Sequence, residues 1–134
     1  MVKTFTRSAE ISKISQEIIR VSFKDAVHLN LEEVINIIRK SENLNSGKSY
    51  CFLADFSSSE VSFSTDARVY LSNNPTAKNR MADAIIVPSL AAKIKGDLYL
   101  RLHKPLVPTR FFTSEEKATE WLNEMISVQT IHLN

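Results

Sequence analysis

The chain has 134 residues, 43% of them hydrophobic, and its 17 basic and 15 acidic side chains leave a net charge of +2. That length suffices for one domain with a real core, residues 1–134 with the core over about 7–126, and the near balance of charge carries no nucleic-acid footprint. Two glycines, four prolines and a single cysteine exclude a flexible linker, a low-complexity tract and an intrachain disulfide. Val2 to Arg7 lack the apolar core of a signal peptide, and no apolar run approaches membrane-spanning length. No membrane contact and a cytoplasmic location are therefore expected.

Arg7 to Phe23 reads as two short strands forming an edge hairpin. Ile19, Val21 and Phe23 alternate with Arg20 and Ser22, which buries one face and wets the other. Asn30 is placed to cap a helix, with Glu33 three residues on to return the bond. Leu31, Val34, Ile35 and Ile38 give that helix an apolar stripe, Arg39 and Lys40 suit its negative end, and Asn43 to Gly47 stop it. Tyr50 to Ala54 is short and continuously apolar, as in a central strand covered on both sides.

A second helix is expected from near Ser64 through Tyr70 and Leu71, interrupted at Asn73-Asn74-Pro75, where Pro75 can restart a turn. Ala84 to Val87 is another central strand. Ser89 caps a third helix with Ala91, Ile94, Leu98 and Leu102 on one face. Gly96 inside it costs about 1 kcal/mol relative to alanine, which predicts a bend or a local break. Thr109 to Phe112 is a last strand. Thr113, with Glu116 in the reciprocal position, caps a final helix striped by Ala118, Trp121, Leu122 and Met125. The order β-β-α-β-α-β-α-β-α implies an α/β fold, its sheet largely parallel with an antiparallel edge. The predicted core is Ile19, Val21, Phe23, Val34, Ile35, Ile38, Phe52, Leu53, Ile85, Ile86, Ile94, Leu98, Phe111, Trp121 and Leu122.

The richest stretch for function is Leu53 to Leu71. A buried strand there ends on Asp55 and delivers a serine-rich loop to the rim of the sheet, where open α/β folds place their sites. Asp55-Phe56-Ser57, followed by Val61-Ser62-Phe63, resembles the anti-sigma-factor antagonist (STAS) family in its SpoIIAA-like branch. Lys104-Pro105 to Phe112, leading into Trp121, looks like the closing strand and helix of small bacterial SpoIIAA-like proteins. The resemblance implies the SpoIIAA-like fold: a mostly parallel sheet of four or five strands with helices mainly on one face. It also implies a protein partner, an anti-sigma factor or kinase-like protein, meeting the corner formed by Asp55, Ser57, Ser58, Ser64, Thr65, Asp66 and Arg68. In the family that kinase partner phosphorylates a serine at the helix start, an anion site that free backbone N–H groups and the helix dipole favour.

Each of these residues also has a purely structural reading. Ser64 is a good helix cap and Asp66 suits the first turn, while Asp55 is a natural anchor for the loop that follows it. Lys93, Lys95, Arg101, Lys104 and Arg110 against Asp97 alone make a basic segment, and Glu115, Glu116, Glu120 and Glu124 make an acidic one. These read first as solvated faces. Arg101, Lys104 and Arg110 become anion contacts, with Arg68, only where the fold brings them together.

His28, His103 and His132 have no metal-site spacing, and Cys51 has no adjacent base. No phosphate loop or nucleophile elbow is present. A non-enzymatic protein without cofactor or metal is expected, working by protein binding. The alternative is a small-molecule or lipid binder of the SEC14/STAS-like kind, with the Leu90–Leu102 helix flanking an apolar cleft.

Ser64-Thr65-Asp66-Ala67 stands where the family has Asp-Ser-Ser-Gly, so the phosphorylation switch is expected to be lost. Asp66 already supplies a fixed negative charge, and a phosphate beside it would add roughly −1.5 to −2 more. Phosphopeptide mapping of the native protein should find Ser64 and Thr65 unmodified. Stoichiometric phosphate at either position, coupled to release of a partner, would contradict this.

Overall fold

The computed structural model describes residues 2–23, 25–57, 60–73 and 79–133, with side chains as far as residue 129. Four strands, not two, precede the first helix: β1 (Lys3–Phe5), β2 (Ala9–Lys13), β3 (Ile18–Phe23) and β4 (Val27–Leu29). Then come α1 (Leu31–Leu44), β5 (Tyr50–Asp55), β6 (Val61–Phe63), α2 (Thr65–Asn73), β7 (Arg80–Ile86), α3 (Leu90–Leu102), β8 (Thr109–Phe112) and α4 (Glu115–Leu133). The restart expected at Pro75 lies outside the described residues.

The main sheet has six strands in the order β1-β2-β3-β5-β7-β8. It is antiparallel from β1 to β3 and parallel from β3 to β8. Strands β4 and β6 form a separate parallel pair. The α/β class and the antiparallel edge are as expected. The extra strands β1, β4 and β6 span three residues each, too short for alternation to reveal them.

Alternation along β5 sends its side chains into two cores. Tyr50 and Phe52 join Ile11, Ile19 and Val21 of the sheet and Val34, Ile37 and Ile38 of α1. Cys51 and Leu53 join Ala82, Ala84, Ile86 and Phe112, under Ala118 and Leu122 of α4. Helix α1 packs on β2 and α2, α3 packs on β8, and α4 lies across β5, β7 and β8. Helices α1, α2 and α3 thus share one face of the sheet, and α4 covers the other.

Several local expectations need correction. Asn30 caps α1 by accepting the Glu33 N–H at 2.9 Å, but Glu33 does not return the bond. Its carboxylate takes Thr6 Oγ1 at 2.7 Å, Ser8 N–H at 3.1 Å and the Ser8 hydroxyl, tying the β1–β2 connection to the helix. Burial pushes that carboxyl up, but these hydrogen bonds outweigh it and hold Glu33 below 4.5. The buried face of α1 runs through Val34, Ile37, Ile38 and Ser41, so Ile35 is exposed. Arg39 and Lys40 fall short of the last turn because α1 continues to Leu44. It stops where Ser46 and Gly47 turn left-handed, with Gly47 at φ +73°.

Helix α3 is unbroken, and its predicted apolar face points outward: Ile94 is 60% exposed and Leu98 55%. Its inner side is Gly96. A Cβ there would lie 2.6 Å from the Phe111 ring, so glycine lets the helix rest directly on the aromatic face. The cap of α4 is Ser114, not Thr113: Lys117 N–H bonds the Ser114 hydroxyl at 3.3 Å and Ala118 N–H its carbonyl at 3.1 Å. Trp121 is half-buried against Phe112, with ring centroids 5.8 Å apart.

These positions set a contrast. Leu122→Ala should cost about 2–5 kcal/mol, since it empties a fully buried site. Leu98→Ala should change stability by about 0.5 kcal/mol or less, as exposed positions do. Urea unfolding of the two variants checks both, and equal losses would place Leu98 in the core after all.

Candidate functional site

The corner expected to act as one site is divided between the two faces of the sheet. Asp55 lies in register with Ser22 of β3 and Ile86 of β7, on the side covered by α4. Its carboxylate pairs with Arg20, whose Nε also pairs with Glu115 of α4 at 2.9 Å and whose Nη1 donates to Ser22 Oγ at 2.7 Å. Asp55 Oδ1 accepts the Ser57 N–H at 2.9 Å and the Ser57 hydroxyl, an Asx-type turn that launches the loop. Burial pushes the Asp55 carboxyl up, but the Ser57 hydroxyl and N–H and the Arg20 guanidinium together hold it below the ordinary 3.8. Asp55 is therefore an anchor linking β3, β5 and α4. Ser58 lies outside the described residues.

The second half of the corner stands on the opposite face. Ser64 caps α2: its hydroxyl accepts the Ala67 N–H at 3.3 Å and donates to Asp66 Oδ1. Its own N–H donates to Leu29 O at 3.0 Å, which fixes the helix start beside β4. Thr65, Asp66 and Arg68 are exposed. Of the expected anion contacts, Arg101 and Lys104 are exposed at the end of α3 and in the turn after it. Arg110 stacks over Phe112, 5.6 Å from the ring centroid, on the α4 side. Arg68, Arg101, Lys104 and Arg110 thus do not converge on one anion pocket.

Beneath α2 the structure holds something the sequence did not delimit. A cleft of about 380 Å³ lies between the sheet and helices α1, α2 and α3. Its floor is Val21, Phe52, Ala54, Ile85 and Phe111, consecutive same-face positions on β3, β5, β7 and β8. Val34 and Ile37 of α1, Leu71 of α2 and Tyr99 and Leu100 of α3 form its walls. Phe23, Phe56 and Phe63 close one end as a chain of rings, with centroids 5.0 and 6.2 Å apart. On this face α1 packs mainly on β2 and α3 mainly on β8, and the cleft lies between them over Ala54 of β5 and Ile85 of β7. Its size falls within the roughly 300–1,000 Å³ of small-molecule pockets.

Among the described residues two charged side chains line this apolar space, Asp83 and Arg68. Asp83, with 16% of its side chain accessible, pairs through Oδ2 with Nη2 of the buried Arg80 at 3.0 Å. Arg80 also reaches Leu71 O at 3.4 Å and lies over the Phe52 ring, 5.5 Å from its centroid. Burial pushes the Asp83 carboxyl up, and Arg80 offsets only part of that. Burial likewise raises the phenol of Tyr50, whose hydroxyl has no partner among the described residues. Arg80 Nε and Nη1 and Asp83 Oδ1 are also without partners there.

Sequence patterning missed Arg80, because its charge argues against the interior of a sheet. It missed Asp83 for the same reason, although Asp83 at a strand position between Ala82 and Ala84 is a readable signal. Cys51 is fully buried, its thiol pushed up to about 12 by burial, and it faces α4 rather than the cleft. Among the described residues no group of histidine, cysteine and acidic side chains could hold a metal ion. No described helix is long and apolar enough to cross a membrane.

A mainly parallel sheet with an antiparallel end, three helices on one face and a closing helix on the other, defines the SpoIIAA-like fold. The chain is similar to the crystal structure of an uncharacterized protein of the DUF3478 family with a SpoIIAA-like fold from Shewanella loihica PV-4. The TM-score is 0.58 at 17% identity, over 91% of this chain and 99% of that one. The chain itself belongs to the family described as domain of unknown function DUF7793, whose model matches residues 12–126. No curated protein matches it.

The Asp55 anchor has a pH signature. Its folded-state value lies below the unfolded one, so its contribution to stability is complete above about pH 4 and is lost as pH falls through the lower folded value. Between about pH 5 and pH 2 the native protein should lose stability more steeply than Asp55→Asn. Parallel pH–melting curves for the two would show that Asp55 bears no such load.

Proposed function

We propose that this domain is a non-enzymatic binder of a small apolar molecule, held in the cleft between the sheet and helices α1, α2 and α3. The observation that carries the reading is the cleft's composition. Its floor and walls are aliphatic and aromatic on every element, interrupted by few polar groups, the pattern of a ligand site rather than of a packing fault. Protein interiors otherwise close to crystal-like density, so a cavity of this size over a central strand is a feature the fold maintains.

A second reading is contact with another protein, in keeping with the anti-sigma-factor antagonist resemblance. One observation favours it: Leu90, Ile94, Leu98 and Leu102 form an exposed apolar stripe along α3. The two readings separate in the laboratory, because the cleft and the stripe lie on different sides of α3.

The direct test uses N-phenyl-1-naphthylamine, a neutral probe that fluoresces in apolar surroundings. The native protein should bind it saturably, and Ala54→Trp, which places an indole on the cleft floor, should weaken that binding about tenfold or more while leaving the α3 stripe untouched. Retained cooperative melting of the variant separates a filled cleft from a lost fold. Absence of saturable uptake by the native protein would refute the ligand reading.

A further inference from the structure

We infer that the cleft's occupant is a single-chain amphiphile bearing one anionic, carboxylate-like head group, which Arg68 receives while the apolar body lies across Phe52, Ile85 and Phe111. The inference rests on the reading of the cleft as a ligand site and adds the chemistry of the ligand.

Charge balance within the lining carries it. Of the two charged residues that line it among the described residues, Asp83 is paired with the buried Arg80 through a 3.0 Å ion pair, which balances its charge although its Oδ1 stays without a partner there. Arg68 is different. Its backbone N–H bonds Ser64 O at 3.1 Å, but among the described residues its guanidinium has neither a hydrogen bond nor an ion pair. It is exposed and yet lines an apolar space. A cation in that position is matched most economically by an oxyanion at the mouth whose attached chain occupies the interior. Planar guanidinium and planar carboxylate form two parallel N–H···O bonds, a geometry neither a hydroxyl nor an ammonium head can supply. A cationic head would meet Arg68 repulsively at the mouth.

Volume limits the rest of the molecule. At about 380 Å³ the cleft lies near the lower end of the roughly 300–1,000 Å³ of small-molecule pockets. That admits one medium-length chain or a compact aromatic acid and leaves out a two-chain lipid. The position of Arg68 in the first turns of α2, with Phe63 just before the helix and Leu71 one turn on, puts the polar head at the edge and the aromatic chain of Phe56 and Phe63 beside it.

The experiment is displacement of N-phenyl-1-naphthylamine by decanoate, decanol and decylammonium, each below its micellar concentration. Decanoate should compete about tenfold better than decanol, and decylammonium worst, with the decanoate preference shrinking as salt is raised. In Arg68→Gln the ratio of decanoate to decanol affinity should fall to about one, and Arg68→Lys, which keeps the charge but loses the fork, should retain part of it. Equal competition by decanoate and decanol in the native protein overturns the inference, as does a preference that survives in Arg68→Gln. Either result leaves apolar binding intact, whereas failure of the probe to bind at all removes the ligand reading itself. Displacement by a two-chain phosphatidic acid as strong as by decanoate would point to a lipid head group and contradict the single-chain assignment.

Discussion

Strand β5 is covered on both sides, and a strand so placed has to supply two cores from alternate residues. On one side Cys51 and Leu53 meet a single long helix, α4, which lies along β5, β7 and β8 and closes that core with Ala118 and Leu122. On the other, Tyr50 and Phe52 meet Val34, Ile37 and Ile38 of α1 and Ala67 of α2, while α1 sits mainly at β2 and α3 at β8. One helix can follow a twisted sheet closely. Three helices held at opposite margins cannot do so without a gap over the middle. The cleft above Ala54 and Ile85 is thus a consequence of how the covering elements are distributed, and its apolar character follows from the same alternation that fills the cores.

Charge is handled differently on the two sides. Behind the sheet, Arg20 joins Asp55 to Glu115 and so couples the end of the central strand to the first turn of α4. These groups keep partial access to solvent, which limits the desolvation cost that fully buried pairs carry. Arg80 and Asp83 lie deeper, with several of their polar atoms unpartnered among the described residues. Such a pair contributes little net stability, since desolvation offsets much of its attraction, but loss of either member would strand the other. It balances the charge of Asp83 in the cleft lining, where Arg68 is the other charged side chain among the described residues.

The class of fold was legible because long elements with clear periods dominate it: β3, β5, α1 and α4 are all readable as patterns. What escaped was orientation. In α1 the stripes Leu31-Val34-Ile35-Ile38 and Val34-Ile37-Ile38-Ser41 both obey helical spacing, and the second is buried. The polar Ser41 hides the second in the sequence, although its hydroxyl satisfies itself on Ile37 O at 2.7 Å. In α3 the apolar stripe is real but faces outward, because the glycine on the other side approaches the sheet more closely than any side chain could. The polar character of the Asp55 to Arg68 corner was legible in its residue types. Its division between two faces was not, because the turn after Asp55 reverses which side of the sheet the chain serves, and no periodicity crosses a loop.

The contact of Gly96 with the ring of Phe111 fixes how far α3 stands from the sheet, and so acts as a ruler for the cleft. The combined bulk at positions 96 and 111 sets the width of the gap, while either residue alone sets only its shape. An added methyl group at 96 would push the whole helix outward, carrying Tyr99 and Leu100 with it, unless residue 111 shrank in compensation. A paired exchange of that kind would keep the spacing while moving the floor, giving related sequences a route to different occupants without altering any residue that touches the head group.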